Sequence, residues 1–281
     1  MQDLLELAVG ATASGCIYGL IALAYLLMIR PTGIINFAVG EWAMIGAFGG
    51  YVLLTKYEWP YPAGMAVVVA FLCVVGWLTE RIAVRPLIER GAPLLAPILA
   101  LLGMLVVFRE TISVSFPPDP MPVPFAFEIQ DQKYFIIAVT LAVFAGAWFF
   151  FERTLWGKSF EAVALNRRAA ALMGINLTRV TAFSFAAGAG VAGLGGLLVA
   201  PNVSAQYLMG VPLAIQGFTA LVIGGVGRVE GALLGGFLLA FAEQLTIRYA
   251  PIPGGYAQGV PLLFLIVFLL VRPSGLLKAK A

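Results

Sequence analysis

The stretch YFIIAVTLAVFAGAWFFFERTLWGKSFEAVALNRRAAALMGINLTRVTAFSFAAGAGVAGLGGLLVA (134–200) encloses one polar, basic segment between two apolar runs. The runs 134–151 and 180–200 each approach the roughly 20 residues that a helix needs to cross a hydrocarbon core about 30 Å thick. Segment 156–176 carries charged side chains that lipid excludes, and its composition still favours a helix. The stretch therefore predicts two membrane-spanning helices joined by a helical segment at the membrane surface.

The composition of the whole chain extends this prediction. Its 281 residues are 61% hydrophobic and 11% charged, with a mean hydropathy of +0.98. We predict an all-α fold, a polytopic transmembrane bundle that forms a single domain over residues 1–281. The apolar runs are apolar on every side instead of alternating with polar residues, which excludes a transmembrane β-barrel.

Several kinds of chemistry are excluded at once. The chain contains no histidine, so Ser-His-Asp and Cys-His triads are absent. Cys16 and Cys73 lie inside apolar runs, and we interpret them as packing residues with no metal site. The net charge of +3 belongs to the loops of a membrane protein and does not indicate a nucleic-acid partner.

The apolar runs predict eight or nine crossings, depending on whether the short seventh run is a broken or re-entrant element. They lie at 7–29, 34–55, 62–83, 94–113, 134–152, 179–200, 213–227, 231–249 and 258–272. With the N-terminus outside and the C-terminus inside, most of the 17 Lys and Arg residues fall on the cytoplasmic side, as the positive-inside rule requires. The remaining four, at or near the outer edge, are Lys56, Arg109, Lys133 and Arg248.

The polar segment, residues 153–178, has helix signals of its own. We expect Ser159 to cap a helix, Glu161 to lie in its first turn, and Gly174 to end it, so 159–173 forms one or two short helices on the cytoplasmic side. The alternative is a solvated loop that carries positive-inside charge. An apolar face that includes Phe160 and Val163 argues against that alternative, because a loop would leave this face uncovered.

Motifs along most of the chain resemble one family of transporters, the LivH-type permease subunits of ATP-binding-cassette importers for branched-chain amino acids. They are GKSFEA (157–162), AALMGIN (170–176), GCIYGLIALAYLLMIRPTGIINFAVGEWAMIGAF (15–48), ERIAVRPLIERG (80–91), GFTALVIGGVGRVEGALLGGF (217–237) and VRPSGLL (271–277). Two positions depart from the family pattern: Glu161 stands where arginine is usual, and Val39 where a polar residue is common.

The resemblance implies a set of partners and a location. We expect two ATPase subunits, a second permease subunit, a periplasmic substrate-binding protein and the lipid bilayer of the bacterial inner membrane. The second permease subunit would be of the LivM type, with a second copy of this chain as the alternative. ATP would be bound by the partner subunits, since this chain has no Walker A motif, and the chain itself would be neither an enzyme nor the holder of a cofactor. The substrate would be a branched-chain or related amino acid, with urea or an amide as the alternative.

In this interpretation the cytoplasmic segment couples the permease to the ATPase. Its apolar face is expected to sit in a groove on the ATPase and to pass on the motion of nucleotide-driven closure. The candidate coupling residues are Ser159, Phe160, Glu161, Val163, Ala164, Asn166, Arg167, Arg168, Met173 and Gly174.

Polar residues inside the predicted spans are candidates for the substrate pathway, because polar groups in a membrane are costly unless they serve a function or find a partner. Together with neighbouring aromatic residues they are Tyr18, Asn36, Phe37, Glu41, Gln216, Phe218 and Glu243. Structural alternatives stay open for three of them. Asn36 would cap or join helices, Glu41 would pair with a cytoplasmic arginine, and Glu243 would pair with Arg248, whereas Arg109 is expected to pair with Glu110 at the outer edge.

Glycines in the spans predict close helix packing, since small residues let helix backbones approach each other in a membrane. The candidates are Gly33, Gly40, Gly224, Gly225, Gly227, Gly231 and Gly235. Two hypotheses compete with the importer: an ion-coupled secondary transporter that uses Glu41 or Glu243, and an intramembrane enzyme, which the missing histidine disfavours.

Overall fold

Long apolar helices dominate the computed structural model, which describes residues 2–127, 129–249, 259–272 and 275–277. The helices are α1 (Gln2–Thr32), α2 (Val39–Gly50), α3 (Tyr61–Thr79), α4 (Arg85–Glu89), α5 (Leu95–Ser115), α6 (Ile129–Arg153), α7 (Leu155–Leu165), α8 (Arg167–Leu172), α9 (Leu177–Val203), α10 (Gly210–Gly224), α11 (Val229–Tyr249) and α12 (Val260–Val271). Within the described ranges the only β-pairing is one isolated antiparallel bridge, Met121–Ala205. The prediction of an all-α fold is confirmed.

Six helices are long and apolar enough to cross a membrane within the described part of the chain. They run over Leu7–Thr32, Tyr61–Glu89, Leu95–Ser115, Asp131–Arg153, Leu177–Val203 and Val229–Tyr249. Two shorter apolar helices, Gly210–Gly224 and Pro261–Val271, correspond to the seventh and ninth predicted runs. The chain is therefore a multi-pass membrane protein. Lys278, Lys280 and most of the predicted outer loop 250–259 lie outside the described residues.

The second predicted span starts later than expected. Residues 33–38 are not helical, and α2 begins at Val39 and continues through a wider π-helical turn, Tyr51–Lys56. Gly33 takes a φ of +69°, which glycine adopts without strain, and the amide of Ile34 donates to the Thr32 hydroxyl. The chain thus turns back at the end of α1, and this turn places the start of α2 against the bundle.

The core of the bundle is built on α1 and α9. Their apolar windows are 83% and 78% buried, whereas that of α5 is only 11% buried. α1 packs against α9, α10 and α11, and α9 packs against α2 and α3. α5 is left at the edge, where its exposed apolar side chains suit lipid.

A π-helical turn, Glu80–Val84, joins α3 to α4 and contains the first five residues of the motif ERIAVRP. The Glu80 carboxylate is buried and accepts from Arg85 at 3.2 Å and from the Thr181 hydroxyl at 3.1 Å. A buried carboxylate is stable only with such partners. The motif therefore ties the end of α3 to the first turns of α9.

Candidate translocation path and coupling segment

The polar segment between α6 and α9 forms two helices, α7 and α8, as predicted, but its start was misplaced. Thr154 caps α7, since its hydroxyl accepts from the Gly157 amide at 3.0 Å. The expectation that Ser159 is the cap is wrong: the Ser159 hydroxyl lies inside the helix and donates to the Leu155 carbonyl. Glu161 accordingly falls in the second turn of α7. Thr154 is the better cap because its backbone is extended, as an N-cap residue requires, and it directly precedes the first helical residue.

The end of the segment follows the prediction. Asn166 is the non-helical residue between the two helices. It caps α8, since its side-chain oxygen accepts from the Ala169 amide at 3.0 Å. Gly174 has a φ of +83°, the left-handed conformation that terminates a helix.

The apolar face of α7 is turned inward. Phe160 and Val163 are each only 1% exposed. The Phe160 ring makes edge contacts with Phe150 at 5.8 Å and Phe151 at 6.0 Å on α6. The expectation that Phe160 and Val163 enter a groove on the ATPase is therefore wrong, because the chain itself buries them. They anchor the segment to its own bundle.

Other apolar residues of the segment face outward, and sequence reasoning missed most of them. Leu155, Leu172 and Met173 are more than four-fifths exposed, and Trp156 is half exposed. Leu155, Trp156 and Met173 border a recess of about 310 Å³ that also includes Ser159 and Gly174.

Charged contacts attach the segment to the end of α1. Glu161 lies 3.9 Å from Arg30 and 3.5 Å from Lys158, and Arg167 donates to the Pro31 carbonyl at 3.2 Å. Partial burial lowers the pKa of the Arg167 guanidinium below its ordinary value, but a guanidinium stays protonated in proteins. Arg168 is exposed, and Ala164 lies at the rim of a second recess of about 490 Å³ beside Arg30 and Glu161.

Three predicted pathway residues meet inside the bundle. The Tyr18 hydroxyl of α1 donates to the Glu243 carboxylate of α11 at 2.7 Å, and the Gln216 amide of α10 lies 3.5 Å from the other carboxylate oxygen. Glu243 is buried and makes no ion pair with Arg248 among the described residues, so that alternative is wrong. Arg248 is exposed near the end of α11.

A second polar pair joins α2 to α5. Arg109 donates to the Glu41 carboxylate at 2.5 Å, and the Glu41 side chain is 1% exposed. Two expectations are wrong here, since Glu41 pairs with no cytoplasmic arginine and Arg109 does not pair with Glu110. The turn at 33–38 carries the start of α2 inward, where Glu41 requires a partner within the membrane.

The pair remains incompletely satisfied. Among the described residues, Glu41 Oε2 and Arg109 Nε have no hydrogen-bond partner, although both atoms are buried. In contrast, both oxygens of Glu243 are engaged.

The other pathway candidates do not join these groups. The Asn36 side-chain oxygen accepts from the Ala38 amide at 2.9 Å inside the turn before α2, and its amide nitrogen donates to Met28 Sδ of α1 at 3.5 Å, so Asn36 joins that turn to α1 and does not cap α2. Phe37 is 39% exposed, and Phe218 packs edge-on against Tyr25 at 5.8 Å.

Glycine packing is confirmed at four of the predicted positions. A Cβ atom at Gly40 would strike the Gly210 backbone of α10, one at Gly224 or Gly231 would strike the other's backbone, and one at Gly235 would strike Ala220. The remaining three predicted glycines do not serve as helix-packing contacts. Gly33 has no neighbour within 4 Å, Gly225 ends α10 with a φ of +99°, and Gly227 lies in the turn before α11. Turn geometry, instead of a helix face, requires glycine at Gly33 and Gly225.

Comparisons with known proteins agree with this architecture. The profile of the family described as branched-chain amino acid transport system / permease component matches residues 7–269. The chain is 31% identical to the high-affinity branched-chain amino acid transport system permease protein BraD of Pseudomonas aeruginosa, over 97% of this chain and 95% of that protein. It is 29% identical to the corresponding protein LivH of Escherichia coli, over 94% and 92% of the two chains.

The fold also resembles a solved structure of PsaBC from Streptococcus pneumoniae in complex with Fab, with a TM-score of 0.53 and 11% identity over 94% of this chain and 91% of that one. At that identity the likeness shows the fold alone. The family match covers nearly the whole sequence, and the helices it spans carry the buried polar pairs and the candidate coupling segment. The chain belongs to the family of permease components of branched-chain amino acid transport systems.

Proposed function

We propose that this chain forms part of the translocation path of an ATP-binding-cassette importer and carries branched-chain or related amino acids across the bacterial inner membrane. Its permease relatives support this function. A periplasmic binding protein would deliver the substrate, and a LivM-type subunit would complete the path.

The proposed orientation places the N-terminus outside. Arg30, Lys158, Arg167 and Arg168 gather where α1 ends and the segment α7–α8 lies, and such basic clusters mark the cytoplasmic face. With α2, α10 and α12 counted as crossings, nine passes bring the C-terminus inside.

The observation that carries the proposal is the coupling segment. It is held to α6 by buried aromatic contacts and to α1 by Arg167, and it exposes Leu155, Trp156, Leu172 and Met173. Exposed apolar surface beside a recess is typical of an interaction site. We infer that two ATPase subunits drive transport, one of them docked on this surface, and that the tie to α1 and α6 transmits the motion of ATP-driven closure.

The experiment replaces Trp156 and Met173 together by aspartate. The chain is solubilised mildly from its native membrane, purified, and assayed for co-purifying ATPase activity. Tyr57→Asp is the matched control, since Tyr57 is a comparably exposed residue in a different loop, after α2. The wild type and the control should retain the ATPase, and the double variant should lose most of it at equal membrane expression. Retention by the double variant would show that the docking surface lies elsewhere.

An ion-coupled transporter is the second candidate, favoured by the buried carboxylates of Glu41 and Glu243. The purified lone chain would then move leucine in proteoliposomes on an ion gradient without ATP. The importer predicts no such uptake. Uptake of urea or amides, but not leucine, by the assembled importer would keep the mechanism and change the substrate class.

A further inference from the structure

The Glu41–Arg109 pair differs from the other buried carboxylate contacts of the bundle. Glu243 has both oxygens engaged by Tyr18 and Gln216, and Glu80 has both engaged by Arg85 and Thr181. One buried oxygen of Glu41 has no hydrogen-bond partner among the described residues, and the Nε–H group of Arg109 has none either. Buried polar groups are normally hydrogen-bonded, so a buried pair that leaves one acceptor and one donor unused requires an explanation.

The two unused atoms form a complementary set. Glu41 Oε2 accepts hydrogen bonds and bears negative charge, and Arg109 Nε–H donates and belongs to a cation. An α-amino acid carries an ammonium donor and a carboxylate acceptor on one carbon atom. Charge-assisted hydrogen bonds of this kind are the strong ones, and more so away from water.

An apolar cavity lies next to this pair along both helices. Its volume is about 470 Å³, within the range of small-molecule sites, and its lining is almost wholly apolar. Residues that line it include Ile45, Phe48, Val68, Phe108, Ile112 and Phe116. Ile45 follows Glu41 by four positions and Ile112 follows Arg109 by three, and side chains at these spacings are neighbours on one helix face. The cavity therefore begins one turn from the charged pair.

We propose that Glu41 and Arg109, together with the cavity between α2, α3 and α5, form a transient binding site for the transported amino acid. The pair would hold the ammonium and carboxylate groups, and the cavity would receive the aliphatic side chain. This inference rests on the proposed function and assigns its substrate contact to this subunit. The lateral position of α5 suits transient occupancy, since its apolar window is only 11% buried.

The test uses the whole importer with its ATPase, second permease and binding protein in proteoliposomes, and radiolabelled L-leucine and L-valine as probes. Glu41→Gln should lower the uptake of both amino acids at least tenfold, while ATP hydrolysis stimulated by the binding protein stays within about twofold of wild type. Glu80→Gln is the matched control, because it makes the same change at a buried carboxylate whose oxygens are both engaged. It should leave the uptake of both amino acids within about twofold of wild type, and an equal loss in the two variants would overturn the special role of Glu41.

Two cavity variants keep the test decisive if Glu41→Gln prevents assembly. Ile45→Phe fills the cavity and should lower the ratio of leucine to valine uptake by about fivefold. Phe108→Ala enlarges the cavity and should raise that ratio. Both expectations follow because one methylene in a well-fitted apolar pocket changes selectivity by about 10- to 200-fold. If both variants change the uptake of leucine and of valine by the same factor, the proposal is overturned, and a lipid chain is indicated as the occupant of the cavity. If the active wild-type importer moves neither amino acid, the proposed substrate class is wrong, an outcome distinct from failure of the site.

Discussion

Truncation of Phe160 to alanine should release the coupling segment from the bundle without removing it. Phe160 is 1% exposed and touches the rings of Phe150, Phe151 and Phe183 at centroid distances of 5.8, 6.0 and 5.8 Å. A buried Phe→Ala change costs about 3–5 kcal/mol, which includes the lost ring contacts. Since about 1.4 kcal/mol corresponds to a factor of ten, the fraction of molecules with a detached α7 should rise about 100- to 4,000-fold.

Limited trypsin digestion measures this fraction. Lys158, Arg167 and Arg168 lie in the segment, and cleavage there follows the population of the opened state when opening and closing are fast. Leu165→Ala is the matched control, because Leu165 is 77% exposed on the same helix and its loss should change the rate less than about threefold. If Phe160→Ala is cleaved as slowly as Leu165→Ala, the aromatic cluster does not hold the segment.

Three further perturbations test the packing of the bundle. Tyr18→Phe removes the donor to Glu243 and should destabilise the protein by about 1.5–3 kcal/mol, seen as a lower Tm in detergent; an unchanged Tm would contradict the hydrogen bond. Arg85→Met leaves the Glu80 carboxylate buried without its cation and should cost about 3–5 kcal/mol, much of which a second change, Glu80→Met, should restore in the same Tm assay. Gly231→Val places a branched side chain against the backbone of α10, where even a Cβ has no room, and should abolish the folded monomer in size-exclusion chromatography; a normal elution profile would refute the close contact.

In the coupling segment, the sequence predicts the local helical structure but not the direction of the apolar face. Its helical character and its termination at Gly174 follow from local chemistry, and the structure confirms them. The direction of its apolar face does not follow. Phe160 and Val163 could equally have met a partner or the chain itself, and only the positions of α6 and α9 decide that they are buried inside.

The partners of the buried carboxylates also could not be predicted from the sequence. A carboxylate in an apolar run must find a partner, so Glu41 and Glu243 were recognisable as special from the sequence. The partner cannot be identified by distance along the chain, since Tyr18 lies 225 residues from Glu243 and Arg109 lies 68 residues from Glu41. The sequence neighbours, Arg248 for Glu243 and Glu110 for Arg109, were the wrong choices, because residues five positions or one position apart on a helix do not share a face.

The sequence by itself determined that this protein is helical, crosses a membrane several times and carries a helical segment with positive charge between two spans. These properties depend on hydropathy and on local hydrogen bonding, which each stretch of chain expresses alone. Only the tertiary structure decided that α1 and α9 form the core, that the turn at Gly33 brings Glu41 to Arg109, and that an apolar cavity lies beside this pair. In lipid the apolar surface of a span has no preference for another span over a lipid chain, so the arrangement of the spans depends on close contacts between small residues and on polar partners far apart in the sequence.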